Sequence, residues 1–215
     1  MLRHRLGKVD SIGVELTLKG AVAMFERVGP DVAEIYSQPR ICQEAGNRTF
    51  QGTSLRPGCS LDLTTADPRT GARWDLSRHD VQNRVRELIR TTQPYVVVGS
   101  PPCTAFSPLQ EISRAKRDPE VMARQLRDAK AHVRFCVEIY KMQLAGRRHF
   151  VHEHPKGSKS WQMKEMIELM AMPEVGSVVC HMCRFGMTSE DQQGKGLVHK
   201  ATRIVSSAEE VLKKL

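Results

Sequence analysis

The apolar pattern of the chain changes period several times, and each change marks the edge of an element. Val14, Leu16, Leu18, Val22, Met24 and Phe25 form a mixed apolar set that reads as a helix stopped at Gly29-Pro30. Residues 32–36 read as a first strand, turning at Ser37-Gln38-Pro39, and residues 58–65 hold a second that ends near Asp62. A third element, residues 74–77, ends near Asp75. Val81, Val85, Leu88 and Ile89 then recur at helical spacing over residues 80–90. Val96, Val97 and Val98 follow without polar alternation, as in a strand buried on both faces, and end at Gly99-Ser100-Pro101-Pro102. Residues 108–117 are polar and read as a mobile loop. Residues 119–144 form a long helix whose core side carries Val133, Phe135, Val137 and Ile139 and whose solvent side carries Arg124, Arg127, Lys130 and Arg134. Strands are expected at 149–155 and 178–183, a glycine-rich polar loop at 186–196, and a capped helix at 206–215. Strand alternating with helix predicts an α/β protein with a doubly wound, mostly parallel sheet. Residues 1–30 form an N-terminal helical segment and residues 31–215 one catalytic-type domain.

Composition narrows this picture. An apolar fraction of 40% and a charged fraction of 27% are those of an ordinary globular protein. Thirty-three Lys and Arg against 24 Asp and Glu leave a formal charge of +9, which favours a polyanionic partner, nucleic acid above all. No apolar run approaches the roughly 20 residues a membrane span needs, and the first residues lack the apolar centre of a secretory signal. The expectation is an intracellular protein with no membrane partner. Six cysteines scattered over 215 residues are then read as reduced thiols.

The candidate chemistry gathers at the C-terminal ends of the strands, where open α/β sheets bind ligands. Cys103 follows two prolines that fix the backbone beneath it, so it stands as a candidate nucleophile. The strand at 149–155 delivers His152, Glu153 and His154 to the same edge. Cysteine beside a carboxyl group suggests covalent attack on an electron-poor ring assisted by proton donation. The same atoms also fit a Cys–His hydrolase using His152 or His154. Glu34, Asp62 and Asp75 each end a successive element, and carboxylates so placed grip ribose hydroxyls or an adenine amine through their two acceptor oxygens. Cys180-His181-Met182-Cys183 has the spacing of half a zinc knuckle, but His181, His199, Cys42 and Cys59 stand at no recognisable second-half spacing, so no metal site is assigned.

These residues resemble a family. GSPPCTAFS at 99–107 resembles motif IV of the DNA (cytosine-5) methyltransferases, and HEHP at 152–155 is similar to their Glu-Asn motif VI. AEIYS at 33–37, SLDLTT at 60–65 and WDLS at 74–77 are similar to motifs I, II and III in the right order. More faintly, HKATRIVSS at 199–207 resembles the strand bearing the motif VIII arginine. The resemblance implies a Rossmann-like, S-adenosylmethionine-dependent methyltransferase acting on carbon 5 of cytosine in DNA. Cys103 would attack carbon 6 and Glu153 would hydrogen-bond N3. The cofactor would lie against Glu34, Tyr36, Ser37, Asp62 at the ribose and Asp75 at the adenine, with Pro101 shaping the loop. Ser107 and Arg203 would contact the substrate, whose base must be flipped out or single-stranded. Three departures stand out. The first turn has no glycine before Gly46, His154 replaces the expected Asn, and no separate target-recognition domain precedes Leu215. The last implies a minimal, truncated or split form with a protein partner supplying target recognition. The first leaves open a non-catalytic nucleic-acid-binding module.

Overall fold

The computed structural model describes residues 29–50, 52–111, 117–191 and 194–215. The helix expected from the apolar residues at 14–25 lies outside the described residues. The main sheet is built from β1 (Val32–Ile35), β4 (Pro57–Leu61), β5 (Val96–Gly99), β6 (His149–Pro155), β7 (Gly176–His181) and β10 (Ala201–Ser206). Its order is β4-β1-β5-β6-β10-β7. β4, β1, β5 and β6 are parallel, whereas β10 runs antiparallel to both of its neighbours. The protein is thus α/β with a mostly parallel six-stranded mixed sheet.

Alternation along the strands assigns two faces. Ile35, Leu61, Val97, Phe150 and Val205 join one core cluster with Trp74, Val85, Ile89, Val133, Ile139, Tyr140 and Trp161. The helices that close this face are α2 (His79–Thr92), α3 (Pro119–Ala145) and α4 (Lys164–Met170). α3 starts where Asp118 accepts a hydrogen bond from the Glu120 amide and Pro119 takes the first helical position, where no amide donor is needed. On the opposite face Val32 and Val98 pack with Cys42 and Ala45 of α1 (Ile41–Gly46). A short terminal helix, α5 (Glu209–Lys214), follows β10.

Several expectations are corrected. Residues 74–77 form no strand. Trp74 and Leu76 are buried, but the segment is a turn attached by a single bridge between Ala66 and Arg73, with Asp75 capping it. Residues 186–196 contain a hairpin, β8 (Thr188–Asp191) with β9 (Gly194–Leu197), instead of a loop. A second small hairpin pairs β2 (Thr49–Phe50) with β3 (Thr53–Ser54). Residues 108–111, the start of the expected loop, form a 3-10 turn, and another at residues 104–106 precedes it. No helix among the described residues is long and apolar enough to cross a membrane.

Candidate functional site

The chain leaves β1 toward β4 on one side and later returns to place β5 on the other. The C-terminal ends of β1 and β5 therefore flank the topological switch point, the position at which open α/β sheets take ligands. A cavity of about 320 Å³ opens there, lined by Tyr36 after β1, Asp62 after β4, Trp74 and Asp75, Ser100 and Pro102 after β5, and His132 of α3. Ligand pockets start near this size. Asp62 Oδ1 accepts from the Thr64 amide at 2.9 Å and its hydroxyl at 2.7 Å. Asp75 Oδ1 accepts likewise from the Ser77 amide at 3.1 Å and hydroxyl at 2.6 Å. The Ser77 hydrogen bond holds the Asp75 carboxyl below its ordinary pKa. In both, the second carboxylate oxygen makes no hydrogen bond among the described residues, so each cavity wall keeps one acceptor for a ligand.

Glu34 does not line this cavity. It is fully buried, and its oxygens accept from Ser37 Oγ at 2.8 Å, the Cys42 amide at 2.8 Å and Ser60 Oγ at 3.1 Å. The carboxylate ties the turn after β1 to the start of α1, and Ser37 serves that tie. Tyr36 shapes the turn differently from a glycine: it takes the left-handed conformation itself, with φ of 58°. Its amide donates to Leu61 O at 2.9 Å, and its hydroxyl shares a 3.0 Å hydrogen bond with His132 Nδ1. Burial raises the Tyr36 phenol pKa and lowers that of the His132 imidazole, so both groups are neutral at pH 7.

Cys103 is half-buried at the head of the 3-10 turn, where its carbonyl accepts from the Phe106 amide at 3.0 Å. The loop that carries it is clamped from β6. The Pro101 carbonyl can only accept, so His154 Nε2 donates to it, at 2.8 Å. His154 is neutral because burial lowers its pKa, so Nδ1 accepts from Ser160 Oγ at 2.7 Å. Ser158 Oγ then donates to Ser160 Oγ at 2.7 Å. This chain of polarised hydrogen bonds ends two residues before Cys103. His152, one inward position earlier, is fully buried with its Nδ1 at 2.9 Å from the Tyr140 hydroxyl.

No protein-family model and no curated protein matches the chain.

Glu153 faces away from His152 and His154, on the side of the sheet that bears Glu34. Its side chain is 29% exposed, its Oε1 is buried without a hydrogen-bond partner, and Lys200 Nζ lies 3.6 Å away. Arg203 sits opposite His154 in the β6–β10 register, which turns it to the α3 side, where its guanidinium lies 5.3 Å from the Trp161 ring centroid. The cation beside Glu153 is therefore Lys200, one residue before β10. Beyond the first cavity, a second of about 340 Å³ shares Pro102 and His132 with it. That one adjoins a third of about 910 Å³ lined by Ser107, Gln110, Arg117 and Lys159.

The half-knuckle cysteines and the other two candidate thiols lie at opposite edges of the sheet, with Cys180 on β7 and Cys59 on β4. Cys180 is buried with its thiol toward Thr202 O at 3.8 Å. His181 and His199 stack at 4.2 Å between ring centroids. Among the described residues no group of three or more His, Cys, Asp or Glu is arranged to hold a metal ion. Burial pushes Cys42 and Cys59 up to about 11, as befits thiols packed between α1 and the sheet. The sequence reading passed over His132, Ser160 and Trp161, which lie in no recognisable motif, and within the 199–207 segment it chose Arg203 over Lys200; only the spacing of His152 and His154 by two residues hinted at a shared face.

Proposed function

We propose that the protein transfers a methyl group from S-adenosylmethionine to carbon 5 of cytosine in DNA through a covalent Cys103 adduct. The observation that carries this reading is the cavity at the switch point. It sets two carboxylates with one uncommitted oxygen each beside Ser100 and Pro102, the residues that lead to Cys103. Asp62 and Asp75 suit the hydroxyl and amine groups of a nucleoside, and Trp74 and Leu63 supply apolar wall. S-adenosylmethionine supplies, when bound, an electrophilic methyl group. Glu34, Tyr36 and Ser37 are positioning residues in this scheme, since they hold the turn that forms the cavity's floor.

Cys103 and Glu153 carry the ring chemistry. The Cys103 sulfur bonds to carbon 6, and Glu153, hydrogen-bonded at N3, draws the displaced electron pair through the ring. Carbon 5, now nucleophilic, takes the methyl group. Loss of the carbon 5 proton to solvent water restores the 5,6 double bond and expels the Cys103 thiolate. The clamp from His154 to Pro101 holds the nucleophile's loop so that little reorganisation is needed at attack. The same clamp argues against a Cys–His hydrolase. Both His154 nitrogens are committed, and His152 is fully buried beneath the sheet face with Nδ1 on the Tyr140 hydroxyl, one residue position deeper than the clamp.

The test is methyl transfer from labelled S-adenosylmethionine to cytosine-containing DNA, single- and double-stranded, with cofactor binding followed by calorimetry. Wild type is expected to transfer, Cys103→Ala to fall to background with cofactor binding retained, and Asp75→Ala to weaken cofactor binding about tenfold. Wild-type protein that neither binds cofactor nor transfers methyl would overturn the reading.

A further inference from the structure

We infer that the cavity beside the Cys103 turn is the subsite for the amino-acid end of S-adenosylmethionine, with Arg117 taking its α-carboxylate and Asp128 its α-ammonium. This deepens the methyltransferase reading and rests on it. Among the described residues, the walls of the switch-point cavity carry only acidic charge, on Asp62 and Asp75, and burial keeps the one imidazole there, His132, neutral. Such a site suits a nucleoside and repels a carboxylate. The turn after β1 offers no bare backbone to a ligand either, because its left-handed position is taken by Tyr36, whose hydroxyl lies 3.0 Å from His132 Nδ1. The amino-acid end carries both charges at neutral pH, so it needs a wall of another kind.

The adjoining cavity of about 340 Å³ supplies that wall. It meets the first at Pro102 and His132, with Thr104 and Ala105 of the Cys103 turn on one side and α3 on the other. Here both signs of charge are present. Arg117, just before the α3 cap, donates to the side-chain oxygens of Gln110 and Gln125, the second at 2.6 Å. Two neutral amides orient the guanidinium without neutralising it, and its fork keeps further donors for a carboxylate. Asp128, one helical turn before His132, makes no hydrogen bond or ion pair among the described residues, with Arg117 or with any other group. Opposite charges held apart on the walls of one cavity complement a zwitterion. A DNA phosphate fits less well, since Asp128 repels it. With the nucleoside in the first cavity and the amino-acid end in the second, the sulfur between them falls at Pro102, the residue before the nucleophile.

The experiment is calorimetry on the full chain with three ligands. S-adenosylhomocysteine has the whole amino-acid end, decarboxylated S-adenosylmethionine lacks its carboxylate, and 5′-methylthioadenosine keeps only the nucleoside and sulfur. Wild type is expected to bind S-adenosylhomocysteine about tenfold or more tightly than 5′-methylthioadenosine. Arg117→Met should weaken S-adenosylhomocysteine about tenfold, as loss of a hydrogen bond between charged groups does, and leave the other two ligands within about twofold. Asp128→Asn, at an exposed helix position, should weaken S-adenosylhomocysteine and the decarboxylated compound alike and spare 5′-methylthioadenosine. Equal weakening of all three ligands by either variant, or no weakening of any, overturns the proposal. A loss confined to DNA affinity overturns it too, since that would mark the second cavity as part of the substrate path. Failure of the underlying reading is seen separately, as a wild-type protein that binds none of the three.

Discussion

At the scale of single residues, His154 decides how firmly the nucleophile's loop is held. Its imidazole spans from Pro101 O to Ser160 Oγ and fixes its own tautomer by doing so. Removing it leaves a buried carbonyl and a buried hydroxyl without their partner, each at a cost of about 1–3 kcal/mol. His154→Ala is therefore expected to lower stability by about 2–4 kcal/mol in urea unfolding. It should also reduce methyl transfer about 100-fold through misplacement of Cys103, with cofactor affinity unchanged. Transfer within threefold of wild type in a folded His154→Ala protein would show that the loop needs no such clamp. Tyr36 makes the complementary point about conformation. The turn after β1 requires a left-handed residue, and a tyrosine supplies it because Glu34, Leu61 and His132 hold the turn from three sides.

At the scale of elements, β5 and β6 must lie close enough for α3 to reach across both. Gly99 stands opposite His152 in their register, and a Cβ built on it would sit 2.0 Å from the Tyr140 hydroxyl. That hydroxyl is the group that meets His152, so the glycine is needed for close approach, not for a turn. Gly99→Ala is expected to destabilise the protein by about 1–3 kcal/mol, as overpacking of a tight core does. Tyr140→Phe in the same background should return part of the loss, and a Gly99→Ala melting curve superimposable on wild type would refute the steric argument. This element scale is also where the sequence was most legible. The Val96–Val98 run, the long period of α3 and the stop at Pro155 mark buried elements by apolar periodicity, and the structure has them within a residue or two. Residues 74–77 mislead because Trp74 and Leu76 are buried from a turn, so burial there carries no strand period. The β8–β9 hairpin escapes for the opposite reason: β9 is exposed throughout and has no apolar face to betray it. The exchange of Arg203 for Lys200 beside Glu153 follows from strand register, which fixes the side chain's face by parity and which no single segment encodes.

At the scale of the whole molecule, the layer between the sheet and α3 holds three imidazoles, His132, His152 and His154, and burial lowers the pKa of each. The unfolded chain therefore takes up protons near the ordinary histidine value while the folded protein does not. Stability rises with pH wherever the unfolded state binds more protons, so the stability these residues confer is complete above about pH 6.5 and is lost as pH falls toward their depressed folded values. His152, fully buried, contributes up to about 1.4 kcal/mol of loss per pH unit in that window, and His132, half-buried, contributes less. Carboxylates with lowered pKa, Asp75 and Glu165 among them, add their own losses only in more acidic solution. Urea midpoints are accordingly expected to stay level from pH 8 to 7 and to drop steadily between pH 6.5 and 5, with His152→Gln flattening the slope relative to wild type. A midpoint that is constant or rising across pH 6.5 to 5 would mean that the imidazoles protonate in the folded state. The Ser160–His154–Pro101 chain would then break, since a doubly protonated ring donates from both nitrogens and has no acceptor for the Ser160 hydroxyl. Methyl transfer per folded molecule should therefore hold its clamp-dependent rate while His154 stays neutral, and a rate that falls in step with the urea midpoint would report loss of folded protein.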